Sequence, residues 1–212
     1  ELLTNEHVEL ITFTGGVAIG KHIAARAGYR RIVLELGGND PIIVMDDADL
    51  DEAASLAVQG SYKNSGQRCT AERLFEARVD EALAQSARLL AGHQRDGALY
   101  APTVIDRVDP AMTVVREETF GPVSPIIAFR DLDHAIAIAN GTAYGLSSSL
   151  CTNRMDVITR CVDELHVGTV NVREVPGYRL ELTPFGGIKD SGIGVKEGVQ
   201  ECCKAFTNVK TY

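Results

Sequence analysis

Short apolar runs separated by glycine turns mark the first third of the chain. Residues 8–13 and 32–36 are apolar runs of strand length, and an apolar helical period covers residues 19–27 between them. Gly28 follows that period, at a place where glycine commonly ends a helix. Two strands joined through a helix predict a parallel βαβ unit, because parallel strands need a crossover that packs on the sheet.

The rest of the chain keeps alternating between strand-length and helical patterns, which predicts an α/β fold. Further strands are predicted at residues 41–45, 104–108, 146–151 and 169–172. Further helices are predicted at residues 50–62, 72–90, 131–140 and 156–165. Residues 205–212 alternate enough to form an added strand, and the glycine-rich stretch at 185–192 is expected to be a loop.

Three aspartates, Asp46, Asp47 and Asp49, lie directly before the helix predicted at 50–62. Clustered carboxylates can bind a metal ion. Their position favours N-capping and the helix dipole instead, since an amphipathic helix begins immediately after them. We therefore predict no metal site here.

The composition is that of an ordinary globular protein with an acidic balance. Of the 212 residues, 45% are hydrophobic and 24% charged, and the net charge is 21 − 29 = −8. This charge disfavours nucleic acid or an anionic membrane as the main partner, but it allows a local cationic pocket for a small anionic substrate. No apolar run is long enough to span a bilayer.

Five cysteines, an odd number without metal-ligand spacing, indicate reduced thiols in a cytoplasmic protein. Cys69 is distinguished by polar neighbours and by Arg68, which would lower its pKa and favour the thiolate. A thiolate can attack an aldehyde, and after hydride transfer to nicotinamide the resulting thioester can be hydrolysed. The alternative is an inert, partly buried thiol. We accept that alternative for the other four, Cys151, Cys161, Cys202 and Cys203.

Glu35 stands between apolar residues at the end of a predicted strand. A carboxylate there is costly unless it is partnered or functional. Partial burial would raise its pKa toward neutrality, which suits a base that activates water for deacylation. A salt-bridged carboxylate at a strand end is the alternative, and Glu35 in isolation does not decide between the two.

Five short motifs occur in order across nearly the whole chain. They are Phe-Thr-Gly at 13–15, Leu-Glu-Leu-Gly-Gly at 34–38, Gly-Gln-Arg-Cys at 66–69, Glu-Glu-Thr-Phe-Gly-Pro at 117–122 and Pro-Phe-Gly-Gly at 184–187. Together they resemble the aldehyde dehydrogenase superfamily, and the spacing from Glu35 to Cys69 is normal for it. The resemblance implies part of a Rossmann-like cofactor domain, an α/β catalytic domain and an oligomerisation strand.

The resemblance also implies roles for individual residues. Cys69 would be the nucleophile, with its N–H as half of an oxyanion hole, and Glu35 would be the base. NAD or NADP would be held by Thr14, Gly15, Gly16, Gly20, Leu36, Glu118 and Phe120. Of these, Glu118 would bind the nicotinamide ribose, and Phe120 would pack on the nicotinamide ring. Many family members carry a serine where Gly16 stands, and its hydroxyl would contact the cofactor phosphate. Gly16 has no hydroxyl, so this chain lacks that contact.

Residues 171–179 and 206–211 resemble the phosphonoacetaldehyde dehydrogenase branch. Arg68 and Arg179 would then clamp a doubly charged phosphonate, because the planar guanidinium makes bidentate contacts. Simple thiol activation is the alternative role for Arg68, and a surface salt bridge is the alternative for Arg179.

The chain is roughly half the length that this resemblance implies, and an internal segment is expected to be missing after residue 71. We expect residues 1–34 to end the cofactor domain, 35–200 to form most of the catalytic domain, and 201–212 to be an arm that pairs with another subunit. A homodimer or homotetramer follows, because an edge strand left unpaired is an association hazard.

Two other functions remain open. A coenzyme A-acylating semialdehyde dehydrogenase would need no water-activating base, so the presence of Glu35 disfavours it. A non-catalytic structural or binding relative of the fold is disfavoured by Cys69 and Glu35 together.

Overall fold

The computed structural model describes residues 1–66 and 74–212. The predicted βαβ unit is confirmed: strand β1 (Leu10–Thr14), helix α1 (Val17–Arg26) and strand β2 (Arg31–Glu35) follow one another, and the two strands pair in parallel. Gly28 has a φ of +61° just beyond the end of α1, which is the left-handed conformation that favours glycine there. The unit buries Ile23, Leu34 and Leu36 between helix and sheet.

The remaining elements alternate between helices and short strands. In chain order they are β3 (Ile42–Val44), α2 (Leu50–Tyr62), α3 (Leu74–Ala84), β4 (Arg88–Ala91), β5 (Arg95–Asp96), β6 (Leu99–Tyr100), β7 (Thr103–Asp106), α4 (Thr113–Arg116), β8 (Val123–Pro125), α5 (Leu132–Asn140), β9 (Ser147–Cys151), α6 (Met155–Glu164), β10 (Thr169–Val172), β11 (Gly192–Ile193) and α7 (Val199–Phe206).

Three small sheets and one hairpin organise the described strands. The first sheet has the order β1-β2-β11, the second β10-β9-β3 and the third β4-β7-β8, while β5 and β6 form the hairpin. The second sheet is parallel throughout, and its strands pack with α5 and α6 on the core that contains Ile43, Leu150 and Val157. The α/β fold class is therefore confirmed.

The middle strand of the second sheet, β9, is buried along its whole length although it begins with three serines. Each serine hydroxyl donates a hydrogen bond. Ser147 donates to Asp40 at 2.9 Å, Ser148 to the Thr169 carbonyl at 3.5 Å, and Ser149 to the Glu174 carbonyl at 2.5 Å. These bonds offset the cost of burying the hydroxyl groups.

Two of the predicted elements are wrong in part. The helix predicted at 72–90 ends at Ala84, because Ser86 has a φ of +86°, which no α-helix contains, and the following residues pair with β7 instead. The strand predicted at 205–212 is also wrong: Ala205 and Phe206 belong to α7, and 207–212 form no strand within the described chain.

Of the three aspartates before α2, Asp49 has the predicted capping role, whereas Asp47 accepts hydrogen bonds from Thr152 and Asn153 instead. Asp49 is the N-cap and accepts hydrogen bonds from the backbone N–H groups of Asp51 at 2.9 Å and Glu52 at 3.1 Å. In the residues that the structure describes, no group of three or more His, Cys, Asp or Glu side chains is arranged to hold a metal ion. None of the described helices is both long and apolar enough to cross a membrane.

Candidate active site

Glu35 ends β2 between two other strands of the first sheet. The Gly15 N–H donates to its carbonyl at 3.0 Å, and Gly192 pairs with it from the opposite side. Its side chain is buried with 9% of the residue exposed, and its Oε1 has no hydrogen-bond partner among the described residues. The structure thus shows no salt bridge at Glu35 in that part of the chain, which disfavours the structural alternative.

Burial raises the pKa of the Glu35 carboxyl above its ordinary value, and three charged side chains modify that effect. Lys196 lowers the pKa, Glu197 raises it, and Arg179 lowers it. Lys196 donates to the Thr14 hydroxyl at 3.3 Å. Neither Lys196 nor Glu197 was among the site residues predicted from the sequence. Their signal is an adjacent pair of charges shortly after the glycine-rich loop at 185–192.

Glu118 lies against the two glycines that follow Glu35. Its Oε1 accepts a hydrogen bond from the Gly38 N–H at 3.1 Å. A Cβ on Gly37 would stand 2.5 Å from its Oε2, so only glycine permits this approach. Burial is the main cause of a raised pKa for the Glu118 carboxyl. The structure therefore brings together two motifs that are about 80 residues apart.

The cysteine motif begins in the described chain at Gly66, whose φ is +67°. A Cβ there would overlap the backbone of Gly121, so Gly66 packs directly on the motif at 117–122. Gly66 thus approaches the motif that also contains Glu118 and Phe120. Arg68 and Cys69 themselves lie outside the described residues. The roles predicted for them therefore stay predictions.

The N-terminus of α1 has the features of an anion site. Gly16 is the N-cap, no side chain caps the helix, and a Cβ on Gly16 would meet nothing within 4 Å. Exposed amides and the helix dipole favour a phosphate group there. Gly20, one turn later, lies against the side chain of Leu36. Leu36 is buried in the α1–β2 core, so its side chain is not available to a ligand, and its N–H donates to the Ser191 carbonyl at 2.9 Å.

Arg179 lies near Glu35 and forms an ion pair with Glu197, while its guanidinium stacks 4.6 Å above the Phe185 ring. The side chain retains 43% exposure. Arg179 is thus both a salt-bridged residue and a neighbour of Glu35. Phe120 is half-buried next to Gly121.

These features define an α/β protein in which an uncapped helix N-terminus and a buried carboxylate lie at the ends of neighbouring strands of one sheet. The model of the aldehyde dehydrogenase family matches residues 1–75 and 72–212. The chain belongs to this family, and the match confirms the superfamily resemblance and the fold.

Individual relatives agree with the family match. The chain is 34% identical to a sulfoacetaldehyde dehydrogenase of Neptuniibacter caesariensis, over 96% of this chain and 54% of that one. It is 33% identical to a 3-sulfolactaldehyde dehydrogenase of Priestia aryabhattai, over 97% of this chain and 52% of that one. One similar solved structure is that of an NADP-dependent glyceraldehyde-3-phosphate dehydrogenase from Bacillus halodurans C-125, complexed with NADP. It superimposes with a TM-score of 0.91 at 35% identity, over 97% of this chain and 52% of that one.

The chain spans about half the length of the curated relatives that it matches. The alignment with the Neptuniibacter protein covers 249 positions, whereas the chain has 212 residues, so at least 249 − 212 = 37 of those positions are gaps in this chain. The two family matches meet at residues 72–75, next to the junction expected after residue 71.

Proposed function

We propose that the whole protein carrying this sequence oxidises an aldehyde to a carboxylic acid with NAD or NADP. The observation that carries the proposal is the buried Glu35 carboxyl, whose Oε1 has no partner in the described chain. Glu118 and the start of the cysteine motif approach the same region through Gly38 and Gly121. A hydrolytic dehydrogenase needs these groups: a nucleophile, a base and a cofactor contact.

In the proposed reaction the Cys69 thiolate attacks the carbonyl carbon and forms a thiohemiacetal, while the Cys69 N–H stabilises the developing oxyanion. The nicotinamide, when bound, accepts the hydride, and a thioester on Cys69 remains. Glu35 then takes a proton from water, which attacks the thioester carbon; the carbon–sulfur bond breaks, the Cys69 thiolate leaves, and the acid is released. The raised pKa of Glu35 makes its carboxylate a stronger base near neutral pH.

The cofactor contacts follow from the same geometry. The uncapped N-terminus of α1 suits the pyrophosphate, and Gly15 and Gly16 leave room for it. Thr14 and Gly20 belong to the same strand–helix unit, and Leu36 supports it from the core. Glu118 would exchange its bond from Gly38 for the ribose hydroxyls.

The proposed substrate is a short aldehyde with an anionic head group, with phosphonoacetaldehyde as the specific candidate. Arg68 and Arg179 would bind the head group, and Arg179 lies near Glu35. Two relatives are named for sulfonated aldehydes, whose head group is also anionic. We also propose a homodimer or homotetramer, a cytoplasmic location, and the domain division at residues 34 and 200.

The decisive experiment compares the wild type with Cys69→Ala and Cys203→Ala. Cys69→Ala should abolish NAD(P)H formation from an aldehyde and retain NADPH binding, which is measured by fluorescence. Cys203 is exposed and has no proposed role in the reaction, so Cys203→Ala should react like the wild type. Turnover in Cys69→Ala would contradict the proposed nucleophile.

Glu35→Gln tests the hydrolytic half of the same reaction. This variant should give a burst of about one NAD(P)H per site and then slow turnover, because acylation needs no base from Glu35 while deacylation does. Rapid turnover that requires coenzyme A would favour the acylating alternative. No NAD(P)H from any aldehyde in the wild type would favour the non-catalytic relative.

A further inference from the structure

Three consecutive residues between β2 and β3 are each hydrogen-bonded to a different part of the molecule. Gly38 donates to Glu118 at 3.1 Å, and the Asn39 amide donates to the Val115 carbonyl at 2.5 Å. Asp40 accepts two bonds from Ser147, from the N–H at 3.1 Å and from the hydroxyl at 2.9 Å. In the connection between β2 and β3, called the crossover below, each of residues 38–40 is therefore fixed by at least one hydrogen bond to another segment.

The Asp40 bonds are the strongest of these ties. Both of its carboxylate oxygens are engaged by one residue, and Ser147 is fully buried at the start of β9. Hydrogen bonds to an ionised acceptor are stronger than neutral ones. Gly38 lies only two residues before Asp40, so this tie limits how far the glycine N–H can move from the Glu118 carboxylate.

We propose that Asp40 is a positioning residue for the active site: by holding the crossover to Ser147 it sets the separation between Glu35 and Glu118. The inference rests on the proposed function, in which those two carboxylates serve as the base and the ribose contact. Asp40 acts through the backbone of residues 36–39 and contacts no reactant.

Asp40 also acts on Glu118 through its charge. Burial is the main cause of the raised pKa of Glu118. The bond from Gly38 lowers that pKa, the negative charge of Asp40 raises it, and the positive charge of Arg78 lowers it. An ionised Glu118 is the form that accepts ribose hydroxyl groups. Asp40 therefore affects both the place and the ionisation of this contact.

The chain contains a matched control at the other end of the same strand pair. Asp47 follows β3 and accepts a hydroxyl bond from Thr152 at 2.7 Å and an N–H bond from Asn153 at 2.8 Å. The kinds of donor, one hydroxyl and one backbone N–H, are those of the Asp40 bonds, but these two bonds lie just beyond the end of β9, away from the connection between β2 and β3. A purely structural role predicts similar behaviour for Asp40→Ala and Asp47→Ala.

The first measurement is amide hydrogen exchange at Gly38 in the whole protein without cofactor. Asp40→Ala should speed the exchange about tenfold, the change that corresponds to losing one hydrogen bond to a charged group. Asp40→Asn should preserve protection, because the amide oxygen can still accept the Ser147 N–H and the hydroxyl can rotate to accept from the amide nitrogen. Asp47→Ala should leave Gly38 protected. Equal protection in wild type and Asp40→Ala would overturn the inference.

The second measurement is the pH profile of NADPH binding. Affinity should fall as Glu118 becomes protonated, and Asp40→Asn should move that fall to lower pH because a charge that raises the Glu118 pKa is gone. Asp47→Ala should leave the profile unmoved. An unshifted profile in Asp40→Asn would contradict the electrostatic part. Failure of the wild type to bind either NADH or NADPH would contradict the proposed function instead, and the exchange measurement would still decide the positional part.

Discussion

At the scale of single residues, Glu35 and Arg179 differ in how their charges are compensated. The Glu35 carboxyl is buried and ion-paired with none of the described side chains, whereas Arg179 is half-exposed, paired with Glu197 and stacked on Phe185. The ion pair holds Arg179 in place near Glu35. An anionic head group would share this guanidinium with Glu197, because the ion pair is made through Nε and a guanidinium carries further N–H donors.

Arg179→Ala tests the choice of an anionic substrate. The ratio of kcat/KM for phosphonoacetaldehyde to that for propanal should fall about tenfold or more, because a charge-assisted contact is lost and Glu197 is left unpaired near Glu35. Arg173→Ala is the control, since Arg173 pairs with Glu52 at 2.9 Å. Equal selectivity in wild type and Arg179→Ala would end the proposed role of Arg179.

At the scale of elements, helix α1 rests on β2 through a glycine. A Cβ on Gly20 would overlap the methyl groups of Leu36, which is buried, so the helix can approach the strand only because the side chain is absent. This close approach places the N-terminus of α1 beside the end of β2, where Glu35 lies. The element thus positions the proposed phosphate site relative to the proposed base.

Gly20→Ala should lower the free energy of unfolding by about 1 kcal/mol, because overpacking a core contact costs more than the gain in helix propensity returns. Gly60→Ala provides the opposite case. Gly60 lies inside α2, and its Cβ would stand 3.5 Å from Ile42, an ordinary contact, so a gain of about 0.5–1 kcal/mol is expected. Urea unfolding measures both. Equal free energies of unfolding for Gly20→Ala and Gly60→Ala would show that the contact between α1 and Leu36 has room for a methyl group.

At the scale of the whole molecule, a single arginine connects the first sheet to the C-terminal tail. Arg31, which opens β2, donates to the carbonyls of Ala205 at 3.3 Å and Thr207 at 2.5 Å and to the Asn208 side chain at 2.8 Å. Beyond this anchor residues 207–212 are exposed, with Val209 at 95%. The tail is thus held at its base and free to pair with another subunit.

Arg31→Ala should shift the proposed oligomer toward monomers, because the tail loses the bonds that set its direction. Arg30→Ala is the matched control, since the neighbouring arginine donates to Val8 and Asn5 at 2.8 Å each and makes no described contact with the tail. Light scattering after size exclusion gives the mass of each variant. A monomeric wild type, or an unchanged mass for Arg31→Ala, would contradict the proposed role of the arm.

Local patterns in the sequence determined most elements of this protein. The βαβ unit, the helix of residues 50–62 with its Asp49 cap and the buried strands follow from hydrophobic period, capping residues and glycine, all of which act over a few residues. The motif order was also sufficient to indicate the family. It made Glu35 and Glu118 candidate site residues, and their roles stay predictions. The helix over 72–90 failed because a left-handed turn at Ser86 leaves no mark in the apolar pattern.

Only the tertiary structure decided which of these groups meet. Gly38 and Glu118 are brought together by the packing of distant segments, and Asp40 and Ser147 by the parallel pairing of β3 with β9. Sequence spacing carries no information about such distances. The influence of Lys196, Glu197 and Arg179 on Glu35 likewise depends on a loop folding back across the first sheet. Burial of the Glu35 carboxyl is the physical result, since desolvation depends on every element packed around it and not on its neighbours in the chain.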